Sequence, residues 1–205
     1  LDACTSYGTQ LLWPFSNYRF AWNSVSIIDP LLTMPILLLM FLAVVLKNKF
    51  LNIVSLVWVF GYLGFGFFQS SLALKEAINL AKYRNHDFKK ITVKPSFGNI
   101  FLWKIVYLYD GKYFIDSVNL LGKTRFCFGE TIDKLDTNIH FINLNEDSKQ
   151  FQDIIRFNWF SQGYLAYDNE KDLIIDVRYS AIPNEAEGLW GCLLYTSPSP
   201  RDSVV

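Results

Sequence analysis

The sequence predicts an α-helical membrane section, built as a two-helix hairpin, followed by a small α+β domain with antiparallel hairpins. Three observations carry this expectation. Two uncharged apolar stretches, residues 30–46 and 50–74, stand almost side by side. The hydrophobic period changes after them, and two turn sequences, Asp110-Gly111 and Asn169-Glu170-Lys171-Asp172, each separate β-rich runs. The expected division is 1–29 as a motif segment at the membrane interface, 30–74 as two transmembrane helices, 75–191 as a soluble α+β domain, and 192–205 as foreign to the fold.

The first stretch has 17 positions, which at about 1.5 Å per residue reach roughly 25 Å, a little short of a hydrocarbon core. Asp29-Pro30 ahead of it reads as an N-cap followed by proline at the first helical position, where orphan backbone donors are satisfied or removed. Lys47-Asn48-Lys49 closes it. The second stretch holds 25 positions without a charge, Trp58, Phe60, Tyr62, Phe65, Phe67 and Phe68 among them, and spans with length to spare. Its Gly61, Gly64 and Gly66 are small residues that permit close helix contact in lipid. So short a loop places the residues before Pro30 and those after Leu74 on one side of the membrane. Lys75, Lys82, Arg84, Lys89, Lys90 and Lys94 follow the second stretch and Arg19 precedes the first, against Lys47 and Lys49 in the loop. The excess of positive charge puts the soluble domain in the cytoplasm.

A polar continuation carries the second helix to about Tyr83. Beyond it, residues 100–109 and 112–119 flank Asp110-Gly111, the strongest short hairpin signal. Asn145-Glu146-Asp147 reads as an acid-first helix start, with Phe151, Ile154, Ile155 and Trp159 recurring on one helical face. Residues 164–168 and 173–179 form a second hairpin, with Leu173, Ile175, Val177 and Tyr179 on one strand face. Residues 192–202, CLLYTSPSPRD, are what one frame of a transposase-end sequencing adapter encodes, so 192–205 is expected to stay outside the fold. The chain opens on Leu1 inside what reads as a motif, and truncation is expected at both ends.

Nineteen basic and 19 acidic residues give a net charge of zero, and nothing electrostatic points to a nucleic acid. The partner that composition predicts is the lipid bilayer; protein partners are not legible. Cys4 and Cys127 lie far apart without CxxC spacing, which argues against a disulfide framework or a zinc ribbon. There is no glycine-rich phosphate loop, no GxSxG elbow and no Cys/His nucleophile arrangement. His86 and His140, the chain's two histidines, lack ligand spacing and read as structural residues. Asp176 and Arg178 share a strand face, where a surface ion pair or a solvated sheet face is the expected reading.

The informative stretch is LDACTSYGTQ at residues 1–10, followed by Trp13-Pro14-Phe15-Ser16 and Ile27-Ile28-Asp29-Pro30. In that order, ahead of two apolar helices, these residues resemble the bacterial inner-membrane family of membrane-bound metal-dependent hydrolases, LexA-regulated and YdjM-like. Asp176-Val177-Arg178-Tyr179-Ser180, Pro183-Asn184-Glu185 and Leu189-Trp190-Gly191 look like that family as well. The resemblance implies a multi-pass protein of the bacterial inner membrane with a divalent metal ion, zinc foremost. In the family the Asp matching Asp2 follows a His by four residues. Positions i and i+4 share a helix face, so a ring nitrogen and a carboxylate oxygen can converge on one cation.

On this resemblance Asp2 is a metal ligand and catalytic residue, Asp29 a second catalytic candidate, and Thr5, Tyr7, Thr9 and Ser16 residues that orient substrate or water. The activity implied is hydrolysis of a phosphoester or lipid headgroup by metal-activated water. Each residue also has a plainer reading. An Asp near a helix end is solvated or caps it, Asp29 is a good N-cap, and hydroxyls in a Tyr-Gly-Thr turn satisfy backbone groups. The competing function comes from a different class: a membrane-anchored interaction or sensor module whose α+β domain binds a partner while the helices tether it.

Overall fold

The computed structural model describes residues 2–6, 8–137, 145, 147–188 and 191–192. Helices come first and an antiparallel β domain follows, as the sequence predicts. Asp29 begins helix α1 (Pro30–Val45) by accepting the amides of Leu31 at 3.1 Å and Leu32 at 3.3 Å, with Pro30 at the first helical position. The chain reverses at Lys47, whose φ is 50°. The Asn48 side chain then accepts from the Phe50 amide at 3.0 Å and starts helix α2 (Phe50–Tyr83).

Helix α2 runs unbroken for 34 residues, about 50 Å, so it outlasts a hydrocarbon core and its last turns belong to the β domain. It is the one described helix long and apolar enough to cross a membrane; α1 is apolar but shorter. One stripe of α2 is buried: Tyr62, Gly66, Gln69, Ala73, Ala77 and Leu80 follow at three or four residues, with Ala81 beside the last. Elsewhere Phe60, Phe65 and Phe68 face outward, as do Met34, Phe41 and Val44 on α1. The small-residue expectation needs correcting. Gly61 and Gly64 stand in open space, whereas a Cβ on Gly66 would run into the carbonyl of Ser24. What Gly66 admits is the backbone of the N-terminal segment.

Strands β1 (Lys90–Pro95), β2 (Leu102–Tyr109), β3 (Lys112–Asn119) and β4 (Arg125–Asp133) form an antiparallel meander in sequence order. The β2–β3 turn is the expected one: Asp110 and Gly111 both take positive φ, 48° and 75°, as a two-residue hairpin requires. Alternation along β2 divides the core. Trp103, Ile105 and Tyr107 pack with Ala73, Ala77, Leu80 and Ala81 of α2. Val106 and Leu108, on the opposite face, join Tyr113, Ile115, Tyr164, Ala166, Ile175 and Val177. Those last residues come from the second sheet and its flanks, which holds β5 (Leu165–Asp168), β6 (Leu173–Asp176) and β7 (Gly191–Cys192). The meander is thus sandwiched between α2 and the smaller sheet. Arg84, just past α2, clamps helix to sheet with two bonds to Asp116, 2.6 and 3.0 Å, and one to the Tyr107 hydroxyl at 2.8 Å.

Helix α3 (Lys149–Phe160) also differs from expectation. Its cap is Ser148, which accepts the Phe151 amide at 3.2 Å, and Asp147 stays outside it. Ile154 is buried with partly buried Phe157, while Ile155 and Trp159 are exposed. Cys192 pairs with Ile174 in β7, so the first residue of the adapter-like run lies within the sheet. Residues 193–205, His140 and Glu146 lie outside the described residues.

Candidate functional site

The N-terminal segment folds through backbone bonds that bring its ends together: the Trp22 amide donates to Ala3, and the Ser24 amide to Cys4, each at 2.9 Å. Asp2 opens a three-residue 3-10 turn, closed by Thr5, whose hydroxyl donates to the Asp2 carbonyl at 2.7 Å. Thr9 bridges to Phe20 in an isolated antiparallel pair. Asp2, Thr5, Thr9 and Asp29 line one cavity of about 470 Å³, together with Ser26 and the first turns of α1. Four of the six candidate residues therefore converge.

Ser16 does not join them; its hydroxyl accepts the Tyr18 amide at 3.2 Å in an exposed loop. Tyr7 lies outside the described residues. Asp29 is buried and heavily engaged, since beyond its two capping bonds its second carboxylate oxygen accepts from the Tyr62 hydroxyl at 2.7 Å. It anchors α1 to α2. Asp2 is exposed, and no hydrogen bond reaches its carboxylate among the described residues.

A zinc site takes three or four protein ligands. Among the described residues, no three His, Cys, Asp or Glu side chains are grouped closely enough to hold a metal ion. The pocket itself offers Asp2 and a capping Asp29, so these residues do not fit a metal ion by themselves. His86 instead stacks on Tyr109, ring centroids 4.2 Å apart, with its Nδ1 3.0 Å from the Tyr107 hydroxyl. Cys4 is buried and Cys127 exposed, both free.

The second feature was misjudged from sequence. Asp176 and Arg178 are not a surface pair but a buried one, with Arg178 Nη2 2.6 Å from Asp176 Oδ2. Burial follows because residues 176–179 run beneath β1 and β2, whose Lys94 and Lys104 are direct cross-strand partners. Both lysines are buried, at 6% and 4% exposure. Lys104 donates to Ser180 Oγ at 2.6 Å and to the Glu185 carbonyl at 3.0 Å. Lys94 sits over the Tyr179 ring, Nζ 3.1 Å from its centroid. Burial pushes the Lys104 ammonium down to about 7, partly opposed by Asp176, Glu130 and Glu185. It lowers Lys94 well below its ordinary value too, helped by the Arg178 charge. Sequence reasoning missed both lysines, and no motif marks them.

An apolar helix of membrane-spanning length that carries an antiparallel β domain, with the Asp2 cavity at the start of α1, is the architecture of a membrane-anchored protein. Residues 1–73 match the family described as YdjM inner membrane protein, the family that the motif residues resemble. The match supports a membrane location for this section and ends within α2, short of the later residues 176–191. No curated protein and no solved structure matches the chain.

Proposed function

We propose that the chain is a multi-pass inner-membrane protein in which the Asp2 pocket handles a polar, headgroup-sized group, with metal-dependent hydrolysis of a phosphoester or lipid headgroup as its activity. One observation carries this reading: residues singled out separately by the family resemblance, Asp2, Thr5, Thr9 and Asp29, line a single cavity at the start of α1. The bilayer is the expected partner. Trp13 and Phe15 in the N-terminal segment are 69% and 94% exposed, which suits a loop lying at a membrane interface. In this reading α1 spans alongside α2, and the lysines after α2 hold the β domain in the cytoplasm.

The catalytic part needs metal donors beyond the described residues. Asp2, exposed and without a hydrogen-bond partner among those residues, is the side chain on which the activity turns. The second reading, an interaction or sensor module, is favoured by the lack of a grouped donor set among the described residues. One experiment separates them. Metal content and phosphodiester turnover are measured on detergent-purified parent and Asp2→Ala. Loss of turnover in Asp2→Ala at an unchanged melting temperature supports the hydrolase; parental turnover in that variant removes Asp2 from the site; a parent with neither metal nor turnover leaves the module.

A further inference from the structure

Lys94 and Lys104 face each other across β1 and β2 on the same buried side of the sheet. Like charges directly opposite in a sheet repel, and buried charges ordinarily have a partner of opposite sign. Here the buried carboxylate of Asp176 is taken by Arg178 through three bonds of 2.6–3.2 Å. Among the described residues neither lysine forms an ion pair, and the Lys94 ammonium makes no hydrogen bond at all. Both lysines line a small cavity of about 60 Å³, the room of about two liquid waters. Ser6, Ser26 and Ser96 line it as well. The Ser26 hydroxyl oxygen accepts the Gly98 amide at 3.3 Å, which leaves its proton to donate.

Two buried lysine amines without an ion-pair partner among the described residues, and several hydroxyls, around a space too small for an organic body match a tetrahedral, doubly charged oxyanion, whose binding favours the protonated lysines. We propose that Lys94 and Lys104, with Ser6, Ser26 and Ser96, form a binding site for a phosphate group, either free or at the head of a lipid. The charge of the bound group offsets the cost of protonating both buried lysines and supplies acceptors for the Lys94 protons. Ser26 and Ile27 also line the Asp2 cavity, so the phosphate would sit beside that pocket, where the chain enters α1. The inference is independent of hydrolysis: phosphate binding without turnover keeps it, and turnover without phosphate binding here removes it.

The test uses the whole chain in a phosphate-free detergent. Inorganic phosphate and, separately, dihexanoyl phosphatidic acid are titrated while melting temperature and binding heat are followed, with dihexanoylglycerol as the phosphate-free control. Binding of inorganic phosphate assigns a free anion; binding of the phosphatidic acid alone assigns a lipid headgroup. In either case Lys94→Met and Lys104→Met should each weaken binding at least tenfold, and Lys123→Gln in an exposed turn should not change it. Methionine fills the space without the charge, and replacing a buried charge by an apolar isostere is commonly tolerated. No binding in both arms, or parental affinity in a folded Lys94→Met or Lys104→Met, overturns the proposal. Should neither variant melt cooperatively, sulfate binding by the parent decides, since sulfate keeps its charge across neutral pH. Lys94, Lys104, Arg178, Asp176, Glu130, Glu185 and Tyr179 stand around the cavity, and the two lysines are the groups that burial moves down toward neutral pH there. Weaker sulfate binding at pH 9 than at pH 6 supports the site, and equal binding overturns it.

Discussion

The Tyr179 hydroxyl donates to the Ser6 carbonyl at 2.9 Å, a buried bond between residues 173 positions apart in the chain. It pins the N-terminal segment onto the β domain, and the same ring lies under the Lys94 ammonium. Tyr179→Phe removes the bond and keeps the ring. A buried carbonyl left without its donor costs about 1–3 kcal/mol. The expected outcome is a lower melting temperature with phosphate affinity close to the parent's. A variant as stable as the parent would mean that the bond does not hold the segment.

Gly66 and Gly61 form a matched pair on α2. Gly66→Ala puts a methyl group into the Ser24 carbonyl and must displace the N-terminal segment, whereas Gly61→Ala meets open space. Thermal melts should show a clear loss for Gly66→Ala and no loss for Gly61→Ala, where alanine's better helix propensity is worth up to about 1 kcal/mol. Equal melting of the two would refute the close approach.

The β2–β3 hairpin was legible because Asp110-Gly111 is one of few pairs that accept two positive φ angles, and α1 began where Asp29-Pro30 said it would. Strands β1 and β4 were not, for a physical reason. Strand β4 is largely exposed and carries no apolar alternation, while β1 buries Lys94 where a lysine is ordinarily exposed. Asp176 and Arg178 misled for the same reason, since the layer covering them is built from distant β1 and β2. Of the candidate site, Asp29 could be read as a cap from two residues. The convergence of Asp2, Thr5 and Thr9 could not be read from spacing, because residues 2–6 and 8–25 are folded by irregular backbone bonds that leave no periodic trace.

Asp29 tests whether that pocket's second carboxylate is structural. Asp29→Ala loses the cap of α1 and leaves the Tyr62 hydroxyl without its partner, so a loss of roughly 2–3 kcal/mol is expected from the two effects together. Asp29→Asn keeps a capping oxygen and an amide that can donate to Tyr62, so most stability should remain. Were Asn as damaging as Ala, the negative charge itself would be what the site needs, and a chemical role for Asp29 would return.

Stability should rise with pH between about 7 and 10. An unfolded lysine titrates near 10.4, whereas Lys104 is held down to about 7 and Lys94 is lowered in the same direction, both chiefly by burial. Between those values the unfolded chain binds more protons than the folded one, so raising the pH favours folding. Below about 7 Lys104 is charged in both states and adds no slope. Above about 10 Tyr164, pushed up to about 12 by burial, acts with the opposite sign, because the unfolded tyrosine loses its proton first. Melting temperatures from pH 6 to 10 should therefore climb beyond neutrality, and Lys104→Met should flatten the climb. Saturating phosphate should flatten it too, by favouring the charged lysines and stabilising the low-pH side most. A melting temperature that falls steadily from pH 7 to 9 in the parent would show that the two lysines are not buried without a counter-charge, and would remove the electrostatic basis of the phosphate site.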